Sequence, residues 1–398
     1  MSASHADAAG HGGSSRLLRL INERTALGCL FLRDRLTRPE LVELTGFSKP
    51  TASEVIKRLR AAGLVTVAGR TSGGPGPRAD VYAIDADAAY SAAVSLREPD
   101  RLDVAVADLR GELRRTVKCP LGDDPEAAVV AAVADACAMA EVDRDRLRSV
   151  WVAVPGSYDG RGDRVRNIDI EGLETPGLRQ RLAEALGTPV RIDNDVNLAA
   201  LAERHHGVGG TEGFALLWLG EAGIGLGIDL GDEAGGGLLH GFSGAAGEIG
   251  YLPIGTPSAV APPDLQELAA GPAIVRLSQR HGREVSSARS AIEVAETADD
   301  AEFFDVVARR IAIGLASVVT ILAPAVIVLA GEIGAAGSGR LGEAVGAALA
   351  KLGFGTPVKR TAVEGDAVLR GGLDAALATV RRQLLADPLA TGNSEGAA

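Results

Sequence analysis

The sequence predicts an α/β protein in two parts: a small helical head closed by a hairpin, and a larger body of alternating strands and helices. Three observations carry this. Residues 36–85 hold, in order, a capped helix, a tight turn, a second capped helix and two β-runs around a Gly/Arg loop. Beyond residue 88, a meander of apolar runs leads into a long Ala-rich helix, and a similar round follows residue 210. Glycine is abundant (51 residues) and aromatics make up only 3%, which suits closely packed layers of small side chains.

At 398 residues the chain can bury at least two cores. Residues 1–85 carry 12 Lys and Arg against 8 Asp and Glu, whereas the remainder is strongly acidic and brings the whole chain to −11. A basic head on an acidic body fits a nucleic-acid module attached to a body that repels DNA. Cys29, Cys119 and Cys137 lie far apart with no CxxC or CxC spacing, so neither a disulfide framework nor a thiolate metal site is expected. That usage implies a reducing, cytoplasmic setting. Residues 1–14 and 385–398 are small and polar and are expected to be disordered tails. The apolar run IAIGLASVVTILAPAVIVLA (311–330) has the length of a membrane span. Pro324 and the β-branched residues after it read instead as a buried helix, a turn and a buried parallel strand.

Within the head, Ser14 to Leu27 reads as a first helix with Leu17, Leu18, Leu20 and Ile21 as its apolar contacts. Thr37 is placed to cap the next helix, with Pro39 in the first turn and Gly46 as its stop. Ser48 caps a third helix that ends at Gly63 and turns Ala52, Val55, Ile56 and Leu59 inward. Its leading residues Ser48, Lys49, Thr51 and Ser53 are small or flexible enough to reach base edges in a major groove. Lys57, Arg58 and Arg60 suit phosphates, which give affinity without sequence information. Glu54 either accepts from a cytosine N4 or caps its own helix. The strands 64–68 and 81–84 flank the loop GRTSGGPGPRA, whose Arg70 and Arg78 suit a narrow A·T-rich minor groove. Three helices and a hairpin would also serve a protein-interaction module. The ordered caps, the TGFS turn and the cationic loop favour a winged helix-turn-helix over residues 15–85.

In the body, SAAVSL, LDVAVADL and LRRTVKC form the first meander, followed by a helix around residues 125–140. VWVAVPG and PVRIDND are further strands. FALLWLG and GIGLGIDLG open the second round, which closes with a long helix and AVIVLAGEIG. Two such rounds predict a duplicated actin/hexokinase-type body with a cleft between its halves.

Four stretches make the resemblance specific: the head, IDNDVNLAALAE (192–203), HGFSGAAGEIGYLPIG (240–255) and LAPAVIVLAGEIG (322–334). The chain resembles the ROK family of repressors, open reading frames and sugar kinases, over about residues 15–380. The resemblance implies a two-lobed, ribonuclease H-like body at 88–380, with lobes at about 88–205 and 206–380. It implies that Asp195 matches the kinases' general base, that Asn194 and Glu248 bind sugar hydroxyls, and that Glu267 is a further sugar-binding carboxylate. Carboxylates and amides suit paired sugar hydroxyls, because both can bond two adjacent groups.

The departures are equally informative. The DxGxT turn that the resemblance implies for ATP is Ser95-Leu96-Arg97-Glu98-Pro99, with an acid and a proline where a phosphate would need donors. The second Gly loop, 220–225, carries Glu221 and Ala222 where the resemblance implies Gly-Thr. Tyr251 replaces the implied zinc and sugar-binding histidine, and LPIGTPSAVAPPDLQEL has no cysteine. The expectation is therefore a sugar-responsive transcription repressor with no enzymatic activity, ATP or zinc. Its expected partners are palindromic, partly A·T-rich operator DNA and a sugar or sugar derivative held by Asn194, Asp195, Glu248, Tyr251 and Glu267, with no membrane. A homodimer or dimer of dimers is expected. Two readings stay open: a working kinase with an added head, and a constitutive DNA-binding protein whose body only dimerises.

Overall fold

The structure is a computed structural model that describes residues 8–71, 78–98, 100–166, 170–255 and 262–388. The head begins with the helix Ala8–Leu32, which starts inside the segment expected as a disordered tail and passes through Gly28. Of its expected apolar contacts, Leu20 is part-buried but Leu17, Leu18 and Ile21 are exposed, and Ala26, Leu27 and Leu30 enter the core instead. The later turns are the part that meets the other head helices.

Thr37 caps the helix Arg38–Thr45 in a full capping box with Glu40, and Gly46 ends it in a left-handed turn (φ 71). Ser48 caps Lys49–Ala61 by accepting from the Thr51 N–H. As the sequence predicts, this third helix buries Ala52, Val55, Ile56 and Leu59. The hairpin strands Val65–Arg70 and Asp80–Ile84 gain a third partner, Leu36–Thr37, paired antiparallel to Val81 and Tyr82. Two residues are too short a run for alternation to reveal.

The body's first sheet runs, in order, Val190–Asn194, Leu147–Val154, Tyr90–Glu98, Arg101–Asp108 and Leu113–Pro120. The first three strands are parallel and the last two antiparallel. Helices Pro125–Met139 and Leu178–Leu186 cover one face with a core of Val, Leu and Ala side chains. Asp195–His206 and the C-terminal helix Ala367–Ala386 pack on the other. The C-terminal helix thus returns to the first lobe, which corrects the expected split at residue 206, and it extends beyond the expected start of the C-terminal tail. Residues 1–7 and 389–398 lie outside the described residues.

The second sheet runs Ile224–Asp229, Phe214–Leu219, Val326–Ala330 and Val358–Arg360. The ambiguous apolar run resolves into the helix Ala301–Leu322, a left-handed cap at Ala323 and the fully buried strand Val326–Ala330. Among the described residues, no helix is long and apolar enough to cross a membrane.

Asp195–His206 is wedged between the two sheets. A Cβ on Gly225 would fall 2.7 Å from Val196 Cγ2, and one on Gly227 would fall 2.6 Å from the Ala200 Cβ. Its other side meets the C-terminal helix so closely that a Cβ on Gly371 would press on the Leu198 carbonyl oxygen. Backbone-to-backbone contact of this kind admits no methyl group, since packed interiors yield little. Gly371→Ala should therefore lower the melting temperature by an amount equivalent to about 1–3 kcal/mol. Gly28→Ala, in open space within a helix, should raise stability by roughly 0.5–1 kcal/mol. Calorimetry on both variants checks the pair.

Candidate functional site

The strand Val190–Asn194 feeds directly into the helix Asp195–His206, so three polar residues in a row sit where one lobe faces the other. Asn194 is the N-cap: its Oδ1 accepts from the Val196 and Asn197 N–H groups at 2.8 and 3.2 Å. Its Nδ2 donates to the Gly156 carbonyl at 3.1 Å. Asp195 is buried at the first turn, where the helix N-terminus favours its negative charge.

These residues open onto a cleft of about 450 Å³. Its opposite wall is built by the hairpin at 220–226, the loop at 244–248, Tyr251 and Gln266, with Trp218 and Glu332 also in the lining. Burial pushes the Glu248 carboxyl above its ordinary value, because the charged form loses water there. Tyr251 is 57% exposed and presents its ring at the wall.

The structure thus brings together Asn194, Asp195, Glu248 and Tyr251 of the expected set, but not Glu267. Glu267 is exposed and closes a capping box with Asp264, accepting from the Asp264 N–H at 3.2 Å. The side chain in the cleft is that of its neighbour Gln266. One residue along a short helix turns a side chain by about 100°, a distinction carried by helix phase.

Two further features were missed in the sequence. Asp193 accepts from the Asn194 N–H and the Asn197 amide, and its second oxygen meets His240 Nε2 at 2.9 Å. His240 lies on the loop after the second sheet's edge strand, so this pair ties the lobes together across 47 residues of sequence. The Asp193 hydrogen bond pushes the imidazole pKa up. The second feature is Glu332, which joins the already noted Glu221 at the hairpin base. Glu221 accepts from the Ala288 and Arg289 N–H groups at 2.9 and 2.8 Å, capping another helix. Glu332, in GEIG, faces the same region, with its Oε2 3.2 Å from where a Gly220 Cβ would stand. The expected phosphate turn is continuous strand from Tyr90 to Glu98, and Pro99 lies outside the described residues.

His205 and His206 meet Asp374 of the C-terminal helix, their ligand atoms lying within 4.8 Å of one another. Arg370 Nη2 contacts His206 Nδ1 at 3.2 Å while His206 Nε2 faces Asp374 at 2.8 Å. A metal on Nε2 would need the proton on Nδ1, where Arg370 donates. The cluster therefore acts as a clasp between the cleft helix and the C-terminal helix.

On the head, Lys49 and Lys57 are exposed along Lys49–Ala61, and Ser53 is partly exposed. Ser48 and Thr51 share a hydroxyl contact of 2.7 Å at the helix start. Lys57 and Arg60 line a groove with Arg38, which donates to the Tyr82 hydroxyl. Arg58 does not fit the expected phosphate role, because it is paired with buried Glu23 and with Glu54. Of the two readings of Glu54, capping is not what the structure shows, because Ser48 caps this helix and Glu54 pairs with Arg58 at helical i,i+4 spacing. Arg70 pairs with Asp80 at 3.2 Å, Arg78 is exposed, and the loop tip at 72–77 lies outside the described residues.

The fold and cleft define a class: two-lobed α/β proteins of the sugar-kinase type, here carrying an added helical head. The chain belongs to the ROK family, which it matches over residues 99–368. Among solved structures, a ROK family transcriptional regulator, a homologue of the E. coli MLC protein, superposes with a TM-score of 0.71 at 19% identity. That alignment covers 94% of this chain and 99% of the other. The ROK hexokinase of Thermus thermophilus aligns with a TM-score of 0.60 at 28% identity, covering 74% of this chain and 99% of its own. The xylose repressor of Bacillus subtilis is 21% identical over 60% of this chain and 61% of its own length. The chain spans about half the length of the first curated relatives it matches.

Two measurements check this site. Arg58→Ala should cost about 3 kcal/mol by stranding buried Glu23, whereas Lys57→Ala should leave melting nearly unchanged. By NMR, His240 should titrate above its ordinary 6.5 and fall back in Asp193→Asn. Its stabilising contribution is complete below 6.5 and is lost as the pH rises through the raised value. Because the ring is 47% exposed, solvent screens the effect and keeps it small.

Proposed function

We propose that this protein is a sugar-responsive DNA-binding transcription regulator, a repressor, whose kinase-like body serves as a sensor. The observation that carries the proposal is a continuous packed path from cleft to head. The cleft helix starts at Asp195 and packs along the C-terminal helix. That helix places Val380 and Leu384 in the head's core beside Leu27, Leu30 and Leu41. A ligand that moves the start of the cleft helix acts on the platform that carries the head, provided it binds the two arrangements differently.

The head is read as a winged helix-turn-helix, with Lys49–Ala61 in the major groove and the hairpin as the wing. Ser48, Lys49, Thr51 and Ser53 face bases, Lys57 and Arg60 face phosphates, and Arg70 and Arg78 serve the wing. Two heads in a homodimer, or four in a dimer of dimers, read palindromic half-sites. In the cleft, Asn194, Asp195, Glu248, Tyr251 and Gln266 contact the sugar. The residues present do not fit ATP. Phosphoryl transfer needs donors and metal around the phosphates, and the floor offers the carboxylates of Glu221 and Glu332 instead. They do not fit a thiolate zinc either, because Tyr251 and the segment 252–268 supply no cysteine or histidine.

One observation favours a second reading, an active sugar kinase: Asp195 stands buried at the cleft, and the hexokinase relative shares the body. ATP-dependent ADP release with hexoses, abolished in Asp195→Asn, would establish it and overturn the proposal.

Fluorescence anisotropy on DNA from upstream of the protein's own gene tests the regulator. The expected result is binding about a thousandfold tighter than to scrambled DNA, with a change in affinity when sugar saturates the cleft. Operator affinity indifferent to every sugar bound would remove the sensing half. Lys57→Ala should weaken all DNA alike and make the log–log salt slope shallower by about one unit, whereas Arg78→Ala should act at A·T-rich flanks.

A further inference from the structure

The head's arginines are held in two ways, and the partner decides what each can do. Arg58 is paired with Glu23 and Glu54, and Arg70 with Asp80, so a carboxylate offsets each charge. Arg38 is held differently. Its Nε and Nη2 donate to the Tyr82 hydroxyl at 2.9 and 2.7 Å, and the guanidinium carbon lies 5.6 Å from the centre of that ring. Among the described residues Arg38 makes no ion pair. A hydroxyl fixes the guanidinium without cancelling its charge.

The unexpected short strand is what brings these two residues together. Leu36 pairs with Tyr82 and Thr37 with Val81, and Thr37 then caps the helix that Arg38 begins. The backbone before and after Arg38 is therefore set by hydrogen bonds. Tyr82 is 1% exposed on the middle strand of the three, so the anchor itself is immobile. The hydroxyl occupies the Nε edge of the guanidinium and leaves Nη1 to donate elsewhere. Arg38 lines a groove of about 650 Å³ together with Ser53, Lys57 and Arg60 of the helix Lys49–Ala61. All three cations are exposed. Against them the described lining has one carboxylate, Asp85, whose Oδ1 accepts from the Asp87 N–H at 3.1 Å. Cations from two helices facing one groove suit a run of phosphodiesters, and an arginine that is already ordered loses less side-chain entropy on binding one.

Resting on the DNA-binding reading above, we propose that Arg38 is a backbone-phosphate ligand of duplex DNA and that Tyr82 is its positioning residue. Lys57 and Arg60 neutralise phosphates from the helix Lys49–Ala61, and Arg38 holds the backbone from a second wall of the groove. The contact carries no base information. It fixes the register of the head on the duplex, so that the start of the helix Lys49–Ala61 meets the bases.

Anisotropy with the full chain, on the upstream DNA and on scrambled duplex across a salt series, tests this. In Arg38→Ala, binding to both duplexes should weaken about tenfold at roughly 0.1 M salt, and the log–log salt slope should become shallower by about one unit. Tyr82→Phe keeps every charge, so it should weaken both duplexes severalfold with the slope unchanged. Added to Arg38→Ala, Tyr82→Phe should change nothing further, because the phenol acts through the arginine. If Tyr82→Phe does not fold, Arg38→Lys is read instead: it keeps the charge and the slope but loses the fork and affinity. Inorganic phosphate at matched ionic strength should displace DNA from the unmodified protein no better than from Arg38→Ala. Better displacement from the unmodified protein assigns the groove to a small anion and overturns the DNA ligand. An unchanged slope in Arg38→Ala, or the same loss from Tyr82→Phe with and without Arg38, overturns the assignment and leaves DNA binding intact. An unmodified protein that binds neither duplex overturns both.

Discussion

The arrangement depends on one close contact: the helix Asp195–His206 held between two sheets and against the C-terminal helix with almost no side chain in the way. Gly225 and Gly227 clear one side, where Val196 and Ala200 press on the hairpin backbone, and Gly371 clears the other. Contacts this short leave little freedom for sliding, so the polar residues at the helix start are placed with the accuracy of backbone packing. Asn194 caps the helix, Asp195 begins it, and Asp193 reaches His240 across the lobes.

From that geometry follows a division of labour among the acids. Asp193 and Glu221 are engaged in holding backbone and imidazole groups. Glu203, fully buried at the far end of the same helix, accepts from the Val208 N–H and from Thr361 Oγ1 and so ties the second lobe down. Asp195, Glu248 and Glu332 line the cleft together with Glu221.

The head is coupled to this core by apolar burial as well as by its linker. Val380 and Leu384 insert beside Leu27, Leu30 and Leu109, and the Arg381 guanidinium stacks over Phe31 at 5.2 Å. In the proposed regulator, the C-terminal helix is the element that both ends share. It is seated on the cleft helix by the clasp of His206 and Asp374 and on the head by a hydrophobic core. Such a helix responds as a rigid body, which gives the path from cleft to head a physical carrier.

Much of this was legible in the sequence because it is local. Caps at Thr37 and Ser48, the stop at Gly46, the inward face of Lys49–Ala61 and the helix–turn–strand reading of 311–330 follow from backbone chemistry within a few residues. The grouping of Asn194, Asp195, Glu248 and Tyr251 was read from motifs and is matched by their meeting in one cleft. What failed depended on phase or on distant partners. Glu267 and Gln266 differ by one step of a helix, and only the folded chain shows which one turns inward. Arg58 resembles a phosphate ligand until the buried Glu23, 35 residues away, claims it. Leu17, Leu18 and Ile21 have helical spacing, but the head's core forms against later turns. The sequence by itself determined the two-part α/β order, the head's elements and the polar character of the cleft, since each is encoded by neighbours in the chain. Only the tertiary structure decided which acids line the cleft, which cation stays bound inside the head, and that the last helix joins the two. Those outcomes depend on which distant backbones can approach closely enough to exclude water.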